Sequence, residues 1–239
     1  VSELGSYRPM RALTGWTIGM LIAGVVAGGL VTLLDVVGTL LYPTWNDMDA
    51  EVSGGGQLAM ALLMLLFGLG ALLLFITTVV LVCVWMYRAM SNLRAMGETR
   101  TSVSPGWAVG WWFVPIANLF MPWLAMREIY RGSESLAIGE DVDLGKDNWL
   151  LGGWWICWLA SNFISNATLR MAFSDDPGMV ESGVWLDVLS LAITIISAAL
   201  LVRILVHVRD WQTQSQDDLA EAVGMTPPGD SPPTEPPVY

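Results

Sequence analysis

The 239-residue sequence predicts an all-α fold: a polytopic transmembrane helical bundle of four spans, with one Trp- and Pro-rich segment that is re-entrant or interfacial. Three observations carry that expectation. Hydrophobic residues make up 54% of the chain and charged ones 14%, with a mean hydropathy of +0.55, where soluble domains are about a quarter charged. Four apolar runs reach the roughly 20 residues that a bilayer core of about 30 Å requires. The 11 basic residues sit in short runs beside those segments, while acidic residues gather in loops and in the tail. The formal net charge of −11 therefore reports on loops, and with no basic face the chain offers nothing to nucleic acid.

Residues 1–14 form a short N-terminus carrying Arg8 and Arg11. The apolar stretch that follows, 15–41, is too long for a signal-peptide core and shows no small-x-small cleavage site, so it reads as a retained signal-anchor. Its Gly15, Gly19, Gly24 and Gly28 form two small-xxx-small pairs, which permit close helix approach either inside the bundle or between copies. Asp35 lies about two turns from its far end. The loop "YPTWNDMDAEVSGGGQ" alternates Asp47, Asp49 and Glu51 but lacks the glycine and glutamate of a calcium loop. The second span covers 58–86.

The doubtful element is 105–124, within "SPGWAVGWWFVPIANLFMPW". If it does not cross and the N-terminus is cytoplasmic, Arg8, Arg11, Arg88, Arg94, Arg100, Arg127, Arg131, Lys146, Arg203 and Arg209 are all inside, leaving Arg170 alone outside. If it crosses, every later residue flips and the bias disappears. Pro115 has no amide donor and pushes Val114 out of helical angles, and Pro122 repeats the fault. Broken backbone at membrane depth must be covered by protein. A segment tucked partly into the bundle is therefore expected.

The loop "EDVDLGKD" has Lys146 and Gly152 where a calcium loop needs glycine and glutamate, so no metal site is expected there. The third span, 149–171, contains "SNFISN": Ser161, Asn162, Ser165 and Asn166 recur at helical spacing on one face, which must meet another helix or a cavity. Arg170 ends that span and Asp187 opens the fourth, 185–207, so an ion pair between Arg170 and Asp187 or Asp35 would explain the one exception to the charge rule. Arg203 and the lone His207 are placed near the inner headgroups. Tryptophans near the span ends (Trp16, Trp45, Trp85, Trp149, Trp185, Trp211) resemble an interfacial belt. Residues 211–239 turn abruptly to proline, acid and small polar side chains, the composition of a disordered tail ending in "PPVY".

Catalytic signatures are missing: no GxSxG, HExxH or phosphate loop occurs, and Cys83 and Cys157 both lie in apolar runs. No enzyme activity, cofactor or metal is expected, and the partners expected are the lipid bilayer and a second membrane chain, a copy of itself or another protein.

One stretch resembles a known family. "YRAMSNLRAMG" carries an R-x-x-x-N-L-R-x-x-G pattern through Arg88, Asn92, Leu93, Arg94 and Gly97. A W-x-x-x-W-W-F-x-P-x-x-N-x-x-x-P block follows through Trp107, Trp111, Trp112, Phe113, Pro115, Asn118 and Pro122, and then a basic stretch with Arg127, Glu128 and Arg131. Over about 50 residues this is similar to the bacterial membrane family known as domain of unknown function 4328. The resemblance implies a small multi-pass protein of the bacterial cell membrane and implies no reaction or ligand. The role expected is a non-catalytic scaffold or partner-binding component. The alternative is a small transporter or channel lined by Asn118, Asn162 and Asn166.

Overall fold

A computed structural model describes residues 7–42, 54–146, 148–174 and 176–222. Its helices are α1 (Arg11–Leu41), α2 (Gly55–Ala95), α3 (Pro105–Gly110), α4 (Met121–Ile138), α5 (Trp149–Met171) and α6 (Pro177–Ala222), with 3-10 turns at Trp111–Phe113 and Ala117–Leu119. No strand occurs among the described residues.

Three of these helices, α1, α2 and α6, are long and apolar enough to cross a membrane. The most apolar stretches of α1 and α2 have no fully buried residue, and many of their apolar side chains, Val26, Leu33, Leu65 and Leu73 among them, are exposed. The 23-residue α5 has the length, about 35 Å at 1.5 Å per residue, but its tryptophans and asparagines dilute its apolarity.

α1 packs on α2, α5 on α6, and α1 on α6, which makes an open row in the order α2, α1, α6, α5. The buried core lies at one end of that row. It joins Trp85, Met90 and Leu93 of α2, Met126 and Ile129 of α4, Leu151 and Trp154 of α5, and Ile204 and Leu205 of α6. By the helix ends and loops they occupy, all basic residues except Arg170 gather at this end, here termed the basic end.

Several sequence expectations change. α6 does not stop near His207: it runs to Ala222, with Gln212 and Ser215 buried, so 211–222 is helix rather than disordered tail. The reason is packing, because Leu201, Ile204, Leu205, Val208, Gln212 and Ser215 continue one inward stripe whatever their polarity. The rest of the tail with "PPVY", and the loop acids Asp47, Asp49 and Glu51, lie outside the described residues. The tryptophan belt splits: Trp16, Trp149 and Trp185 are exposed, Trp85 is wholly buried and Trp211 half-buried, while Trp45 lies outside the described residues.

Candidate functional site

The residues that carry the family resemblance all converge on the basic end. α2 stops just before Gly97, whose φ of 93° suits glycine, and there Glu98 N donates to Leu93 O at 3.0 Å and Gly97 N to Arg94 O at 3.2 Å. Just before that stop, Asn92 is buried and reads the backbone of the N-terminal strap in both directions. Its Oδ1 accepts from Arg8 N at 3.0 Å and its Nδ2 donates to Arg8 O at 2.9 Å. Asn92 Nδ2 also donates to Gln212 Oε1 at 3.2 Å, and Gln212 Nε2 reaches Ala89 O and Ser133 Oγ, each at 3.0 Å. One buried carboxamide pair thus joins the strap, α2, α4 and α6. Arg88 Nη1 donates to Pro9 O at 3.3 Å and Arg94 Nη2 to Val103 O at 3.2 Å. Two of the motif's arginines therefore hold backbone.

The chain then turns into the Trp/Pro segment. Ser104 Oγ caps α3 by accepting from Trp107 N at 3.3 Å, with Pro105 in the first turn. Trp107 stacks on Trp111 at 4.4 Å. Helix fails at Pro115 as expected, and the tip Phe113–Ile116 is exposed, at 72% for Phe113 and 78% for Ile116. Pro122 sits buried in the first turn of α4, where its missing amide donor costs nothing.

Trp112 fixes this segment in place. Its Nε1 donates to Met86 Sδ at 3.3 Å, and its ring meets Trp155 and Trp158 edge-on at 5.9 and 5.3 Å. Trp155 Nε1 donates to Leu119 O at 3.1 Å and stacks on Trp158 at 4.7 Å. The segment is thus a wedge between α2 and α5, the two ends of the helix row. Two of its buried polar atoms, Asn118 Oδ1 and Trp123 Nε1, find no partner among the described residues. The Arg127 guanidinium lies over the Trp123 ring at 4.7 Å.

Below the wedge, buried Glu98 accepts from Arg100 N, Nε and Nη2 at 2.8, 3.1 and 2.6 Å, and Arg100 pairs with Asp141 at 3.1 Å. Those Arg100 bonds hold the Glu98 carboxyl below the usual carboxylate range, against the opposing effect of burial. Glu128 accepts from Ser102 N at 3.0 Å, Val103 N at 3.1 Å and the Ser102 hydroxyl. Gly132 lets α4 approach α2, since a β-carbon there would come within 3.1 Å of Leu93 Cδ1. His207 Nδ1 meets the Tyr130 hydroxyl at 3.1 Å, so the lone histidine packs on α4 instead of only reaching headgroups. Burial pushes the Tyr130 phenol above its ordinary pKa.

At the opposite end the polar candidates separate. Ser165 pairs with Ser190 at 3.0 Å, Ser190 Oγ reaches Ser161 O at 3.3 Å, and Thr168 Oγ1 donates to Asp187 Oδ1 at 2.7 Å, a hydroxyl seam between α5 and α6. Asn162 and Asn166 are exposed instead, so "SNFISN" spans two faces and not one. Their amides turn back to Trp158 O and Asn162 O at 2.7 and 2.9 Å. No ion pair among the described residues joins Arg170 to Asp187 or Asp35; Thr168 takes that place beside Asp187. Of Gly15, Gly19, Gly24 and Gly28, only Gly24 approaches a neighbouring helix, with its β-carbon position 4.0 Å from Thr78 Oγ1, while that of the adjacent Gly29 lies 3.8 Å from Leu191 Cδ2 of α6.

Sequence reasoning singled out Asn92, Trp112 and Asn118 but missed Gln212, Ser133, Met86, Trp155, Trp158 and Glu98. Gln212 was findable, since it continues the inward stripe of α6. Met86 and the α5 tryptophans carried no signal beyond apolarity.

Long apolar helices around a tryptophan-clamped wedge define the class: a helical protein built for insertion into a membrane. Residues 54–210 match the family model described as Domain of unknown function (DUF4328), and this chain belongs to that family. No curated protein and no solved structure matches it.

Proposed function

We propose that the chain is a four-span protein of the cell membrane with both ends on the cytoplasmic side. In this reading 105–124 is a re-entrant wedge, and the protein is a non-catalytic scaffold or partner-binding component acting through it. The observation that carries the reading is the seat of Trp112 between Met86 and the Trp155–Trp158 stack, inside both flanking helices. An apolar tip held there, with Phe113, Ile116 and Phe120 all exposed, is stable in lipid and costly in water. Support for α5 as the fourth span comes from its hydroxyl seam, which follows α6 from Trp154–Ser197 to Thr168–Asp187.

The transport alternative would need a polar path from Asn118 to Asn162 and Asn166. A groove of about 370 Å³ at the basic end, lined by Arg11, Asp210, Thr213, Gln214, Asp217 and Asp218, includes none of them. A photo-crosslinking residue at Phe113 or Ile116 in living cells tests the proposal. Capture of one defined membrane protein is expected. Lipid capture alone, together with solute flux through the purified chain in liposomes, would overturn it in favour of transport.

A further inference from the structure

Trp155, Trp158, Asn162, Asn166 and Leu169 follow one another at three- and four-residue spacing, which places them along one side of α5. The first part of that side is covered by the wedge, through the Trp155 bond to Leu119 O and the Trp112–Trp158 contact. Beyond the wedge the side is bare. Asn162 and Asn166 are exposed, and so are Leu169 and Phe163. α6 packs on the other side of α5, and α2 stands at the far end of the helix row.

Each asparagine spends one Nδ2 hydrogen on its own helix, at Trp158 O and Asn162 O. Their carboxamide oxygens have no partner among the described residues. On the proposed reading that α5 crosses the bilayer, Asn162 lies near the middle of a 23-residue span and Asn166 about one turn closer to its outer end, both facing hydrocarbon. Acyl chains offer neither donors nor acceptors, so such groups require a helix that brings both.

We propose that this face of α5 is the interface between two copies of the chain, with α5 against α5 about a two-fold axis along the membrane normal. Asn162 and Asn166 each pair there with their counterpart. The chemistry favours a second copy because a carboxamide carries both a donor and an acceptor and so complements itself. Copies inserted in the same sense also place equivalent residues at equal depth, the condition for an isologous contact. A single asparagine at a helix seam fixes register in the same way. The wedge confines the contact to the outer part of α5. Bare Gly15 and Gly19 of α1 leave no polar group in need of a partner, so they do not compete for this role.

The test is single-molecule counting of the labelled full-length chain in lipid bilayers across a dilution series. Dimers are expected for the wild type. The double variant Asn162→Leu/Asn166→Leu, which inserts more readily, should raise the dissociation constant tenfold or more, on the order expected for two interhelical polar contacts. In a Cys83→Ala/Cys157→Ala background, Leu169→Cys should cross-link between copies with a bis-maleimide, and Leu73→Cys on exposed α2 should not. Monomers at every density, dimers indifferent to the double substitution, or the reverse cross-linking pattern would each overturn the interface. So would a photo-crosslinker at Asn162 that captures a different protein and never a second copy. Labelling of Asn166→Cys by an impermeant maleimide would show α5 outside the hydrocarbon; the topology then fails, a result distinct from a buried but monomeric α5.

Discussion

The carboxamides of Asn92 and Gln212, 120 residues apart in the chain, meet at 3.2 Å inside the basic end. Between them they tie the strap at Arg8, the ends of α2 and α6, and Ser133 of α4. Replacing Asn92 by leucine removes three hydrogen bonds and strands the Arg8 amide and the Gln212 oxygen. A loss of about 3 kcal/mol is expected, at roughly 1 kcal/mol per bond plus desolvation of the stranded groups. Chemical unfolding in detergent measures it, together with faster hydrogen exchange at the Arg8 amide. A double-mutant cycle with Gln212→Leu should show coupling of at least about 0.5 kcal/mol. Simple additivity would mean that the pair does not act as a unit.

Trp112 should be the residue on which the wedge depends. Trp112→Ala empties a site bounded by Met86, Trp155 and Trp158, a truncation of the kind that costs about 3–5 kcal/mol. Hydrogen exchange over 107–120 should rise steeply while exchange in the α5–α6 seam stays as in the wild type. Uniform exchange across the molecule would show that the wedge is not a separate unit.

Glu98 sets a pH dependence whose sign is fixed by Arg100. Its folded pKa is lowered, so its stabilisation is full above the ordinary glutamate value of about 4.3 and is lost as pH falls through the lower folded value. The melting temperature should therefore drop on the acid side. In Glu98→Gln that acid limb should be shallower, because no carboxylate remains to be protonated. Identical limbs in the two proteins would remove Glu98 from the account.

Asn118 offers a prediction of the opposite direction. Its Oδ1 is buried without a partner among the described residues, so Asn118→Leu removes a desolvated group and should be neutral or stabilising by about 1 kcal/mol in thermal unfolding. A clear loss of stability would reveal a polar partner for this side chain.

Much of the fold was legible because membranes impose simple rules. Apolar length marked the helices, and Pro115 marked the break in the Trp/Pro segment. Basic residues grouped at one end just as the loops and helix termini now place them. What was not legible depends on neighbours. Composition made 211–222 look like tail, yet Gln212 is held by partners on α2 and α4, and Ser215 is buried by its place in the α6 stripe. Helical spacing grouped Ser161 with Asn162, but only the position of α6 decides that Ser161 is buried and Ser165 reaches Ser190 while the asparagine amides turn back to their own helix. Arg170 looked like the partner of Asp187 because one ends the third apolar run and the other opens the fourth; Thr168 is nearer, and spacing along one helix cannot show that.

The central claim is that 105–124 enters the membrane and returns to the side it came from. Single cysteines at Ser102, Asp143 and Ser174 in a Cys83→Ala/Cys157→Ala background, labelled with an impermeant maleimide from each face of sealed vesicles, test it directly. Cysteines at 102 and 143 should label from one face and the cysteine at 174 from the other. Labelling of 102 and 143 from opposite faces would mean that the segment crosses, and the four-span account would fall.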